Sequence, residues 1–160
     1  MSLDADVGRL ARTRPFSLLP REAVQLVAFS SVKQRLRAGE ILFSAGEAGE
    51  AGYFVLSGAI LLVAPNAAAQ ASRRVAAGAL IGESALYAPV VRRVEARAEE
   101  DSVVVRIPRE TFRRVLTEFP EAAENVRRAL ASRTRNLVDS LEAARVRAGE
   151  AGAPRPRAPT

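Results

Sequence analysis

Hydrophobic positions along the chain change period twice, from helical to alternating and back to helical. Between residues 8 and 30, Leu10, Phe16, Leu18 and Leu19 are followed by Val24, Leu26, Val27 and Phe29 at helical spacing. Pro15 and Pro20 interrupt the run, which predicts two short helices, the second opened by Pro20. From Ser31 to Pro108 the apolar residues fall instead into short runs punctuated by glycine. Val32–Leu36, Ile41–Phe43, Tyr53–Leu56 and Ala59–Val63 read as strands, with a Ser57-Gly58 turn and a small-residue hairpin loop from Ala64 to Ser72. Arg74 to Gly78 leads onward, and Val94 to Ala98 and Val103 to Ile107 complete the series. Gly46, Gly49 and Gly52 read as turn glycines, because no Lys-Ser or Lys-Thr follows to make a phosphate loop.

Short strands separated by turns every roughly eight to twelve residues predict an antiparallel barrel or jelly roll. From Arg109 the helical period returns: Phe112, Val115, Leu116 and Phe119 share a face, and Pro120 opens a long helix to about Ala148. The expected fold class is mainly β, an eight-stranded jelly-roll (double-stranded β-helix) barrel with N-terminal helices and a long C-terminal helix. The expected domain covers residues 8–148, with the barrel at 31–108, helices at 109–148, and a disordered Gly/Ala/Pro/Arg tail at 149–160.

Composition removes most chemistry. The chain has 160 residues with no histidine and no cysteine, so disulfides, zinc sites, haem ligation and His- or Cys-based catalysis are excluded. No EF-hand loop offers a carboxylate metal site, and no enzyme or metal centre is expected. Lys33 is the sole lysine among 24 cationic residues, so the net charge of +6 is almost all guanidinium. That balance suits an anionic ligand, nucleic acid or plain solubility. Arg73-Arg74, Arg113-Arg114 and Arg127-Arg128 read as solvated faces, and no nucleic-acid partner is expected. The acidic N-terminus lacks the apolar core of a signal peptide, and no run reaches the ~18 apolar residues of a membrane span, so a cytoplasmic chain is expected.

The densest signal is Gly78-Ala79-Leu80-Ile81-Gly82-Glu83-Ser84-Ala85-Leu86, with Arg92 nine residues after Glu83. A glycine ahead of a short helical turn lets backbone approach a ligand closely, and amides opening that turn favour an anion. Glu83 can accept from a sugar hydroxyl, and Arg92 can neutralise a phosphate with a fork of two donors. Glu83 can equally be a turn-capping carboxylate paired with Arg92 in an empty pocket.

Phe16 to about Leu137 resembles the cyclic nucleotide-binding domain family, as in catabolite activator-type regulators and regulatory subunits of cAMP-dependent kinases. The resemblance rests on Phe16-Ser17-Leu18-Leu19, on Val32-Lys33-Gln34-Arg35-Leu36-Arg37-Ala38-Gly39-Glu40-Ile41-Leu42-Phe43, and on Gly46-Glu47. Tyr53-Phe54-Val55-Leu56-Ser57-Gly58 and Gly82-Glu83-Ser84-Ala85-Leu86 continue it. It implies a ligand, cAMP or cGMP, whose ribose 2′-hydroxyl is held by Glu83 and whose phosphate is held by Arg92. Gly82, Ser84 and Ala85 would supply backbone. The second half departs from the family pattern: Val91-Arg92-Arg93-Val94-Glu95-Ala96 places Arg93 where a small or hydroxyl residue is usual. Arg93 can add to phosphate binding, pair with Glu95 or Glu99, or crowd the pocket. Making Arg93 the phosphate ligand by a one-residue slip would turn the apolar Val94, Ala96, Ala98 face outward.

Leu130, Leu137 and Ala144 recur every seven residues, interleaved with Thr134, Leu141 and Ala148, the pattern of a modest parallel homodimer. The same stripe can instead pack on its own barrel. The expected activity is that of a stand-alone sensor that relays occupancy to an unidentified protein effector, with Leu86 and Tyr87 repacking against the helix begun by Pro120. About twelve residues follow that helix, too few for a helix-turn-helix DNA reader. The alternative is a nucleotide-free dimerisation or docking module of the same fold.

Overall fold

A computed structural model describes residues 3–65 and 72–151. Helix α1 (Leu3–Leu10) starts ahead of the apolar pattern at residue 8, because its buried face combines Val7 and Leu10 with a charged residue, Asp6. Asp6 lies 2.5 Å from Lys33 Nζ, so the sole lysine ties α1 to strand β1 (Val32–Leu36). A 3-10 turn over Phe16–Leu18 stands where the first predicted helix was centred, and α2 (Arg21–Phe29) follows Pro20 as its proline predicts.

Ten strands follow among the described residues. Beyond β1 these are β2 (Ile41–Phe43), β3 (Ala48–Gly49), β4 (Ala51–Ser57), β5 (Ala59–Val63) and β6 (Arg73–Ala76). Then come β7 (Leu80–Ile81), β8 (Val90–Val91), β9 (Glu95–Ala98) and β10 (Ser102–Pro108). One antiparallel sheet runs β1-β10-β4-β7, a second runs β2-β9-β5-β6, and β3 pairs with β8 as a ribbon. The jelly-roll architecture is therefore built as two sheets and a ribbon, not as a closed barrel. Most of the predicted hairpin loop lies outside the described residues. The strands without a sequence signal, β3, β7 and β8, are two residues long; a period needs more length than that to show.

Alternation along β9 turns Ala96 and Ala98 inward, where they face Leu62 and Ile60 of β5 across the ladder. Leu36, Phe43, Tyr53, Val55 and Val104 complete the interior core, so Tyr53 is packing material, as is the buried Phe54. The Ser57-Gly58 turn needs glycine twice over: its φ is +82°, and a Cβ would press on the Ser102 side chain and lie 2.6 Å from the Asp101 carbonyl.

Helix α3 (Arg109–Glu118) buries Thr111, Phe112 and Val115. Helix α4 begins at Pro120 and runs through Ala151, past the expected boundary at residue 148; residues 152–160 lie outside those described. The chain divides into two compact units, one ending at Ala123 and the other beginning at Glu124. In the second unit Leu137 and Leu141 of the predicted seam are each 61% exposed. The arginine doublets serve partly as surface ion pairs: Arg74 with Glu99 and Arg127 with Glu124, both at 2.6 Å.

Candidate ligand-binding site

A cleft of about 760 Å³ opens beside the turn between β7 and β8, within the size range of ligand sites. Phe43, Leu62, Ile81 and Val94 supply apolar wall, and Gly82, Ser84, Arg92 and Arg93 supply polar groups. No carboxylate lines it.

Arg92 is placed by pairing on both sides of its peptide. Its N–H donates to the Glu47 carbonyl and its own carbonyl accepts from the Gly46 N–H, both at 2.8 Å. Arg92 and Arg93 lie in the link between β8 and β9; Arg92 turns inward and is 7% exposed, while Arg93 faces solvent. Inside, Nη2 donates to the Ala51 carbonyl at 2.6 Å and Cζ sits 4.3 Å over the Phe43 ring. That cation–π contact is worth roughly 0.5–2 kcal/mol.

Two glycines make room for this side chain. Gly82 stands in the left-handed region, at φ +69°, and a Cβ there would overlap Arg92 Nη1. A Cβ at Gly49 would lie 2.6 Å from Val90 Cγ2 and 3.1 Å from Arg92 Cζ. Gly49 and Gly52 are thus close-approach glycines inside strands, not turn glycines: Gly52 clears space for Leu86, whose Cγ would be 3.2 Å from a Cβ. Only Gly46 of the three takes a positive φ, +92°.

Burial pulls the Arg92 guanidinium below its ordinary pKa, with Arg106 acting in the same direction and Tyr53 and Glu47 acting against it. A guanidinium stays charged through such a shift. Among the described residues no carboxylate comes within ion-pair distance of Arg92, so the anticipated Glu83–Arg92 pair is not formed. A charge buried against one carbonyl and the rings of Phe43 and Tyr53 is costly unless an anion joins it. The donors, the glycine cradle and the apolar wall suit an anionic group with an apolar body.

The 3-10 turn Glu83–Leu86 follows Gly82 directly. Ser84 is exposed at the cleft, whereas Ala85 is fully buried and its N–H is engaged by the Gly82 carbonyl at 3.1 Å. Glu83 stands off the cleft lining, and its Oε1 accepts from the Tyr87 hydroxyl at 2.6 Å. Tyr87 meets Phe112 of α3 edge to face at 6.0 Å, and Phe112 meets Phe16 likewise at 5.8 Å. The turn's aromatic contact with α3 runs through Tyr87 and Phe112.

Sequence reasoning missed Phe43, Ala51 and Arg109 as parts of this site. Arg109 Nη1 donates to the Gly49 carbonyl at 2.9 Å and lies 3.2 Å from the carbonyls of Ala85 and Ala88. It clamps ribbon, turn and α3 together across separations of 60, 24 and 21 positions, which no local motif announces. Among the described residues no group of three or more acidic residues is placed to hold a metal, and no helix is long and apolar enough to cross a membrane.

Known proteins resemble this chain in sequence and fold. A cyclic nucleotide-binding-like protein from Brucella abortus is 33% identical with a TM-score of 0.64, covering 71% of this chain and 99% of that one. The N-terminal domain of a transcriptional regulator from Streptomyces coelicolor superposes with a TM-score of 0.73 at 26% identity, over 83% of this chain and 94% of that one. Among curated relatives, an NTE family protein of Mycobacterium tuberculosis is 32% identical over 126 residues. Lysophospholipase NTE1 of Chaetomium globosum is 29% identical over 125 residues. The matched stretches are 79% and 77% of this chain but only 21% and 8% of those longer proteins. Residues 33–119, more than half of the chain, match the profile of the cyclic nucleotide-binding domain, the same stretch that builds the sheets, the cleft and α3. The chain belongs to the cyclic nucleotide-binding domain family.

Proposed function

We propose that this chain is a sensor module in which Arg92 takes the cyclic phosphate of cAMP or cGMP. The observation that carries this reading is the buried Arg92 guanidinium, cradled by Gly49 and Gly82 at the cleft with no carboxylate within ion-pair distance among the described residues. Ser84 and the Gly82 backbone border the phosphate, Ala85 holds the turn from behind, and Arg93 stands at the mouth. Glu83 binds the ribose 2′-hydroxyl after exchanging its bond with Tyr87. Isothermal titration of ligand-free protein with cAMP and cGMP tests the reading. Heat of binding with either supports it, and none at high micromolar concentration overturns it.

The exchange at Glu83 gives occupancy a route outward. A ribose hydroxyl and the Tyr87 hydroxyl compete for one carboxylate, and Tyr87 rests on Phe112 of α3. Ligand then favours a state in which Tyr87 repacks, a two-state element biased by differential affinity. Tyr87→Phe keeps the ring and removes the competitor. Its expected result is a several-fold gain in nucleotide affinity with less than about 1.5 kcal/mol change in stability; equal or weaker binding would remove Glu83 from the ribose role.

Signal passes to a protein effector, and the exposed α4 stripe around Leu137 and Leu141 pairs with a second copy. Leu137→Glu with Leu141→Glu is expected to convert the dimer to monomer in sedimentation equilibrium while leaving nucleotide affinity within about threefold. A parent chain already monomeric at 100 µM or so would exclude the pairing.

A further inference from the structure

The family accounts for one cation in the cleft, and this chain has two. Arg93 lines the cleft, is exposed, and has no carboxylate within ion-pair distance among the described residues. Both partners that might have neutralised it are engaged elsewhere: Glu95 lies 3.7 Å from Arg97, and Glu99 lies 2.6 Å from Arg74. Glu83, the nearest carboxylate in sequence on the turn side, is held by Tyr87 and is absent from the lining. Two guanidinium groups thus share an apolar-walled cleft without any acidic residue.

A cyclic mononucleotide brings a single negative charge. If Arg92 takes that charge, Arg93 remains uncompensated beside a ligand with nothing to offer it. We infer that Arg93 forms a second anion subsite, and that the cleft selects nucleotides carrying two phosphates over singly charged cyclic mononucleotides. The inference rests on the reading of the cleft as a nucleotide site and adds the ligand's charge class. Burial supports the division of labour, since the buried Arg92 holds one phosphate within the shell and the exposed Arg93 meets a second at the mouth. The cleft volume of about 760 Å³, toward the upper part of the usual range, leaves space for the additional group.

The second phosphate can sit on the same nucleoside or on a second one, so the test uses a probe of each kind. Affinities of the full chain for cAMP, cGMP, adenosine 3′,5′-bisphosphate and cyclic di-GMP are measured by titration calorimetry at fixed salt. They are measured again for Arg93→Gln and Arg93→Lys. At least one two-phosphate probe is expected to bind tenfold or more tightly than either cyclic mononucleotide. Arg93→Gln should bring that ratio within about threefold by weakening the two-phosphate probe at least several-fold more than cAMP or cGMP, and Arg93→Lys should retain part of it. The preferred probe tells which nucleoside carries the second phosphate. A parent that favours cyclic mononucleotides, or a ratio unchanged by Arg93→Gln, overturns the second subsite alone. Absence of binding by all four compounds overturns the nucleotide reading itself.

Discussion

Replacing Arg92 by methionine is expected to abolish stabilisation by cyclic nucleotide while leaving the ligand-free protein at least as stable as the parent. The two halves of this result have one cause. Without an anion, the folded chain buries a guanidinium against a single carbonyl and the rings of Phe43 and Tyr53. An unbranched apolar side chain keeps the contact with Phe43 and removes the desolvation cost, and such replacements are often neutral or stabilising. With an anion, the balance reverses. Each charge-assisted hydrogen bond contributes about 1.5–3 kcal/mol, so losing a two-donor fork lowers affinity at least about 100-fold. Thermal unfolding with and without nucleotide reads both effects, because a ligand that binds only the native state raises the transition temperature by mass action. A variant that binds within tenfold of the parent would dismiss Arg92 as the phosphate partner. A large loss of stability without ligand would make it a structural residue instead.

Phe112→Ala is expected to lower unfolding free energy by roughly 3–5 kcal/mol, the usual cost of emptying a buried phenylalanine site. Phe112 is fully buried and joins Phe16 and Tyr87, edge to face with both, so three separated segments lose a common contact. Against a typical total of about 5–15 kcal/mol, that is a major fraction. Urea unfolding followed by tyrosine fluorescence measures it, since the chain has two tyrosines and no tryptophan. Phe112→Leu, which refills most of the volume, should cost well under half as much. A loss below about 1 kcal/mol for the alanine variant would show that the aromatic cluster is not a principal support of α3. The same variant should also weaken the coupling between the Glu83 turn and α3, because Tyr87 would have lost its rest.

Legibility in the chain followed length and locality. Strands β1, β2, β4, β5, β9 and β10 were visible because apolar or alternating runs of three or more residues, bounded by glycine or charge, are a local property. Helices α2 and α4 were visible through Pro20 and Pro120. The ribbon strands β3 and β8 were not, since Ala48 pairs with Val91 and Gly49 with Val90 only when the cleft edge has closed. Gly49 and Gly52 were misjudged as turn glycines for a related reason. Their need for a missing side chain comes from Val90, Arg92 and Leu86, residues more than thirty positions away.

Arg92 shows how far local order reaches toward the site. Its inward direction was suggested in the one-dimensional pattern by its parity with Val94, Ala96 and Ala98, although residues 92–94 form a link outside the strands and no pleat carries that parity to Arg92. The partners it meets there were not. Phe43 and the Ala51 carbonyl arrive from strands distant in the chain, and the pairing of Glu95 and Glu99 with other arginines depends on which strands adjoin β9. Periodicity, punctuation and residue chemistry thus determined which elements form, which way the cassette strand faces, and which chemistries the chain lacks. Tertiary structure alone decided that Arg92 has no carboxylate within ion-pair distance among the described residues, that Glu83 accepts from Tyr87, and that Tyr87 meets Phe112 of α3. Those are matters of which distant atoms come within a few ångströms, and a pattern of near neighbours does not encode them.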